Sequence, residues 1–308
     1  DPAVRGFRYG PAAFWPYALL MFIDYPVMIS SGRGQENIGK EPQYSNRGIV
    51  SQKEVFITAP VVRIGTAPGT QITHSAIEWA IPFITVGNPM SAVCGREMVG
   101  LEKLRGEIEF GESYFPDSFR GRVSLPGWTL RDPDRMQRML PMLEVDTGPV
   151  VPTFRGAPRE SSLYTLFRTR AASSAIAGLA TLANVLDTAS AGAIPTTMQT
   201  VALKQFRDAL QPQQAVYQAL TACRTKYSNI DGVRFFKEND VRIRFYPQGS
   251  FGEVTQFLRT SSLQESEVPA HTLHPVAAYR FNADIDFDNM RTLYTFPLDG
   301  GDHRPATP

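Results

Sequence analysis

The sequence predicts an α+β fold dominated by antiparallel strands, built as a curved sheet or barrel and interrupted by one helical block. Three observations lead there. Runs rich in β-branched residues recur in the first and last thirds of the chain, no parallel βαβ repeat is visible, and helical periodicity is concentrated near residues 161–189. A chain of 308 residues can bury a sizeable core. The expectation is one domain, 1–308, with an N-terminal arm over 1–48 and a helical insertion over about 126–198.

Residues 1–48 are rich in Gly, Pro and Arg around one apolar block at 17–29, and read as an irregular arm laid across the core or into an oligomer interface. Val55 to Ile64 reads as a strand whose Pro60 marks an edge or a bulge. Thr66 to Gly69 is a turn, and Ile77 to Val86 a second strand interrupted by Pro82. A short, well-punctuated helix follows. Asn88 is its N-cap, Pro89 suits the first helical position, and Gly100 sits where a left-handed residue is wanted.

Leu104 to Phe110 and Arg120 to Leu125 read as strands, and 126–160 as loop with a short helix around Pro133 to Leu140. Ser161 to Asp187 has helical periodicity: Leu163, Leu166 and Phe167 share a face, and Ile176, Leu179, Leu182 and Leu186 continue an apolar stripe. Arg168 and Arg170 fall on its solvated face. Val201 to Arg207 and Ala215 to Ala222 are strands flanking the turn Gln211–Gln214, and Val233 to Phe236, Val241 to Tyr246 and Val276 to Phe287 follow.

Composition narrows the function. A net charge of +1 carries no electrostatic footprint for nucleic acid or an anionic membrane, so the expected partner is a small neutral or singly charged molecule. Trp15 to Ile29 is broken by Pro16, Asp24 and Pro26, and Ala175 to Leu186 is too short, so neither reads as a membrane span. Two cysteines cannot form a disulfide framework; Cys94, among Ala92 and Val93, reads as a buried thiol in a reducing, cytoplasmic protein. A chain that starts at Asp1 leaves open whether a leader preceded it. His271 and His274 form an i, i+3 pair without a third ligand nearby, so no metal is expected. Gly65 to Gly69 lacks the strand–Gly–helix context of a phosphate loop, and no cofactor is expected.

The chemistry concentrates in Gly95-Arg96-Glu97-Met98-Val99-Gly100-Leu101-Glu102-Lys103-Leu104. This is a helix end, a Gly turn, and a lysine flanked by Leu101 and Leu104 as a strand begins. Only six of the 31 cationic residues are lysines, which keeps the list of amine nucleophiles short. A lysine attacks a carbonyl as the neutral amine, which calls for burial among apolar groups or a neighbouring positive charge.

The stretch from Gly95 to Lys103 resembles, without a gap, the acetoacetate decarboxylase family's pattern of Gly-Arg-Glu, two apolar-leaning positions, Gly, an apolar or aromatic residue, Pro, and then its Schiff-base lysine. Gly87-Asn88-Pro89 with Ala92-Val93 is similar to the family's approach to that helix. Leu203 to Asp208 with Pro212 and Val216-Tyr217-Gln218 resembles its strand–turn–strand, and Ala278 to Phe287 its last long strand. The resemblance implies a cone-like barrel and an oligomer, likened over roughly 80–125 and 200–296. It implies imine catalysis on an oxo acid or related carbonyl compound, with decarboxylation as the default lyase activity and Lys103 as the catalytic amine.

Aldol-type or dehydration chemistry on a larger oxo compound, and a non-catalytic small-molecule binder with the same cavity, are the alternatives. Glu102 stands where the family has Pro, and Leu104 where the true decarboxylases carry a second lysine, so desolvation is left as the main activating device. Glu78, in Ala76-Ile77-Glu78-Trp79-Ala80-Ile81, is the candidate acid–base carboxylate. Arg96 either binds a substrate carboxylate bidentately or braces a structural Glu97. Gln205 and Arg280 are the remaining candidates for the cavity wall.

Overall fold

The computed structural model describes residues 7–11, 18–29, 49–65, 74–111, 117–127, 138–151, 197–211, 214–246, 271–275 and 278–296. The helical block expected near 161–189 and the turn at Thr66 to Gly69 lie outside them, as do residues 133–137 of the short helix expected before Leu140. Positions 138–140 instead open a strand.

The strands follow the β-branched runs. β1 (Phe7–Pro11), β2 (Leu19–Ile29), β3 (Ile49–Gly65), β4 (His74–Val86), β5 (Lys103–Arg105), β9 (Val150–Val151), β10 (Thr197–Arg207), β11 (Ala215–Phe236) and β14 (Ala278–Thr295) form one sheet. Its main path runs β1-β3-β4-β10-β11-β14, with β2 on β3, β5 on β4 and β9 on β11. β6 (Glu107–Phe110), β7 (Arg120–Gly127), β8 (Arg138–Asp146), β12 (Arg242–Phe245) and β13 (His271–Leu273) form a second, antiparallel sheet in the order β13-β12-β8-β7-β6.

Three expectations need correction. The N-terminal arm is not irregular throughout, because β1 and β2 both pair antiparallel with β3. The first sheet is mixed: β4 runs parallel to both β10 and β5, and β4, the helix after it and β5 form one parallel crossover. The sheet curls but does not close as a barrel. Tyr25 on β2 and Phe287 on β14 have ring centroids 6.4 Å apart. Five interstrand steps separate those strands, about 24 Å in a flat sheet. No ladder joins β2 to β14 among the described residues.

The prolines of β3 and β4 both sit where the pairing is interrupted. β2 pairs with β3 as far as Thr58 and β1 takes over at Val61, so Pro60 lies in the gap between partners. On β4 the register slips between Ile57↔Phe83 and Ala59↔Ala80, leaving an extra residue around Pro82.

Two cores result from strand alternation. Val55, Ile57 and Phe83 pack against Val123, Leu125, Met142, Leu143 and Val145 of the second sheet. On the other face, Phe56, Ile84 and Val86 pack with Ala92 of the helix and with Met21, Ile23 and Leu101. Gly106 passes the chain from one sheet to the other. A Cβ there would lie 2.6 Å from Thr85 Cγ2 and 2.8 Å from Leu125 Cδ2. No helix of the described residues is long and apolar enough to cross a membrane.

Candidate functional site

The site begins with a cap. Asn88 Oδ1 accepts from Met90 N (2.9 Å) and Ser91 N (3.3 Å), starting α1 (Pro89–Cys94). The helix widens into a π-helical turn, Gly95–Val99, and stops at Gly100, whose φ is +82°. Gly95 O accepts from both Gly100 N (3.0 Å) and Leu101 N (3.1 Å). Two residues later Lys103 opens β5, opposite Ile84.

Gly100 has no substitute in this geometry. A Cβ would meet Lys204 Cα at 2.6 Å, and φ is in the left-handed region. Gly100→Ala is expected to lower stability by about 2–3 kcal/mol, from left-handed strain plus the clash, read as a lower urea midpoint at constant m-value.

Gly95 packs directly on the lysine. A Cβ there would lie 2.5 Å from Lys103 Cδ and 2.7 Å from Cε. Those atoms belong to a flexible side chain, so Gly95→Ala is expected to keep the fold while driving the amine out of place. Retained circular dichroism together with lost carbonyl reactivity at Lys103 is the outcome to check.

The Lys103 side chain is 11% exposed, and Nζ donates to Glu54 Oε2 at 2.9 Å and to Ser91 Oγ at 3.3 Å. Glu54 is itself buried and accepts from Gln52 Nε2 at 2.7 Å. Antiparallel register explains the cluster. Tyr25 faces Gln52, Ile23 faces Glu54 and Met21 faces Phe56, so Tyr25, Gln52 and Glu54 share the face that carries Phe56. β11 supplies the opposite wall: Thr221, Cys223, Thr225 and Tyr227 are its buried alternate residues, and Thr221 Oγ1 donates to Val99 O.

Electrostatics bind these walls together. Burial, then the Glu54 charge, pushes the Tyr227 hydroxyl up to about 12. Burial and then the same charge raise Tyr25 well above the ordinary tyrosine range. Burial and Asp288 push the Cys223 thiol up to about 11, with the Lys103 charge opposing. Cys223 is therefore an inert neighbour.

A hydroxyl whose pKa rises on folding stabilises the fold below its unfolded value of 10. That contribution disappears as pH climbs from 10 to about 12. Alkaline titration is expected to show tyrosinate absorbance and loss of circular dichroism rising together across that window.

Two buried atoms on this wall have no hydrogen-bond partner among the described residues: Tyr25 OH and Gln52 Oε1. The Gln52 amide orientation is fixed chemically, because Nε2 must face the Glu54 carboxylate. Each such orphan costs about 1–3 kcal/mol.

The residues singled out from sequence scatter around this cluster. Glu78 lies six residues along β4 from Ile84, about 20 Å. It shares a face with Val61 and Arg63, opposite to that of Glu54. There it pairs with Arg63 Nε at 2.9 Å and accepts from Tyr9 OH and from Gln199 Nε2. It is not beside Lys103.

Arg96 and Glu97 are both exposed, and no ion pair joins them among the described residues. Gln205 faces Gln218 on the side of β10 opposite Thr200 and Ala202, and those two face Cys223 and Thr221. Arg280 faces Arg234, seven residues along β14 from Phe287; burial and the Arg234 charge lower its pKa, with Asp117 opposing. Cys94, expected buried, is exposed at the end of α1. His274 Nδ1 lies 2.8 Å from Val241 O, and no metal-binding cluster occurs among the described residues.

Sequence reasoning missed Glu54, Gln52, Tyr25 and Ser91. The available signal was Gln52-Lys53-Glu54-Val55-Phe56-Ile57, two polar residues on one face of a strand otherwise suited to burial.

Two open clefts of about 660 and 900 Å³ lie elsewhere, on the second sheet. A cross-strand ladder of Arg120, Asp146, Arg244, Glu144 and Arg122 lines them. Their charges are already paired and neither cleft touches Lys103.

No family model and no curated protein matches the chain. Solved structures resemble it. Acetoacetate decarboxylase from Legionella pneumophila is similar over 81% of this chain and 70% of that one, at 10% identity and a TM-score of 0.45. The enduracididine biosynthesis enzyme MppR, complexed with the condensation product of pyruvate and imidazole 4-carboxaldehyde, is similar over 95% of this chain and 83% of that one, at 12% identity and a TM-score of 0.48. At these identities and TM-scores the likenesses carry no residue roles, which rest on the geometry around Lys103.

Proposed function

We propose that this chain is a divergent acetoacetate decarboxylase-like enzyme in which Lys103 forms an imine with a small carbonyl compound. One observation carries the reading: an amine 11% exposed with a buried carboxylate 2.9 Å away, which does not itself favour a neutral amine but gives its proton a place to go. The gapless sequence motif ending at Lys103 supports it.

The chemistry balances within the pair. A proton passes from Nζ to Glu54, and the freed lone pair adds to the carbonyl carbon. One hydrogen moves from nitrogen to the former carbonyl oxygen, giving a carbinolamine. Glu54 then protonates that hydroxyl, which leaves as water, and the protonated imine remains against the Glu54 carboxylate. The iminium draws in the electron pair of a breaking α bond. If that bond is to a carboxylate, carbon dioxide leaves; if it is to hydrogen, the proton goes to Glu54. An enamine results either way. Decarboxylation is the reading that the resemblance favours, and aldol or dehydration chemistry shares the same imine.

Borohydride tests the common step, because hydride adds to the imine carbon and leaves a secondary amine on the lysine. With a panel of 2-oxo acids, 3-oxo acids and neutral ketones, mass spectrometry is expected to find the adduct on the Lys103 peptide and none in Lys103→Ala. If no carbonyl compound gives an adduct, and Lys103→Ala binds the same compounds unchanged, the chain is a binding protein.

A further inference from the structure

Tyr25 OH and Gln52 Oε1 are both buried, belong to directly facing residues of β2 and β3, and have no hydrogen-bond partner among the described residues. They are complementary: the phenol offers a hydrogen and the amide oxygen a lone pair. Both residues sit on the face that carries Glu54, and Gln52 touches its carboxylate.

We propose that Tyr25 and Gln52 form a subsite for a hydroxyl group, so that the carbonyl compound taken by Lys103 carries a hydroxyl near its carbonyl. A hydroxyl is the smallest group that accepts from Tyr25 and donates to Gln52 through one atom. A carboxylate in that place only accepts, which leaves Gln52 Oε1 facing a like partial charge and adds a negative charge beside Glu54. Arg96, the residue expected to hold such a carboxylate, is exposed. A methyl group would leave both orphans buried, and sites built for a hydroxyl reject analogues that lack it for that reason.

This assignment rests on imine formation at Lys103, and the test separates the two claims. The full chain is trapped with borohydride in the presence of hydroxyacetone, butanone or pyruvate. Each rate is normalised to the trapping of Nα-acetyl-lysine by the same compound, which removes intrinsic carbonyl reactivity. Hydroxyacetone is expected to exceed butanone by about 10-fold, and Tyr25→Phe is expected to bring that ratio close to one. The variant's melting temperature is expected not to fall, because its lost hydroxyl has no hydrogen-bond partner among the described residues.

A normalised ratio that is near one in the parent, or that survives Tyr25→Phe, overturns the subsite while leaving the imine intact. So does a preference for pyruvate, or a clear drop in melting temperature in the variant. Trapping of none of the three compounds overturns the imine reading itself.

Discussion

Glu54→Gln is expected to slow imine formation at Lys103 by about 100- to 10,000-fold, the range that a positioned acid–base group supplies. The substitution preserves volume, and its amide can still reach both Lys103 and Gln52, which now touch the carboxylate at 2.9 and 2.7 Å. What it removes is the place for a proton. The deficit therefore belongs in the trapping rate rather than in carbonyl affinity, and the pH dependence of trapping should change shape. A Glu54→Gln variant that traps at the parental rate would take Glu54 out of the mechanism. The same change at Glu78 strips Arg63 of its partner and is expected to act on stability.

Much of the fold was legible where local chemistry decides it. Asn88, Pro89 and Gly100 bracketed the helix because caps and positive φ depend on a few adjacent residues. Pro60 was legible as a bulge or edge marker, and it lies at the change of strand partners. What stayed hidden was pairing. Nothing in residues 7–11 or 19–29 announces that they serve β3, since strand pairing is set by partners far along the chain. β11 likewise reads from sequence as two short strands, Ala215 to Ala222 and Val233 to Phe236, whereas in the structure it is continuous, with irregularities near Asn229, whose φ is positive, absorbed as bulges against β14.

The site divides the same way. Lys103 is legible as a candidate because helix, turn and lysine lie within one short segment. Glu54 is not, since it reaches Lys103 only through two ladders: Glu54 faces Val86, and Lys103 faces Ile84. Glu78 attracted attention by its apolar neighbours, and it is indeed 2% exposed. A buried carboxylate needs a partner, though, and Arg63 on the neighbouring strand supplies it on the wrong face. The rest follows from strand parity: the bulge near Pro82 disconnects the alternation at Glu78 from that at Ile84.

The Lys103–Glu54 pair also makes a prediction about stability that runs against intuition. Lys103→Met strands a carboxylate that is 6% exposed and is left, among the described residues, with Gln52 Nε2 alone, and it is expected to cost about 3–5 kcal/mol in urea denaturation. Adding Glu54→Leu removes the stranded charge. The double variant is expected to recover the parental stability or to exceed it by about 1–4 kcal/mol, since two apolar groups need not be desolvated as ions. Phe56, Ile84, Ala92 and Leu101 already provide an apolar setting on that face. If Lys103→Met proves harmless by itself, the carboxylate has water within reach and the enclosure of the amine is refuted. If the double variant regains stability but loses trapping, the fold does better without the pair, and the charges persist in its core because the amine requires a proton acceptor at hand.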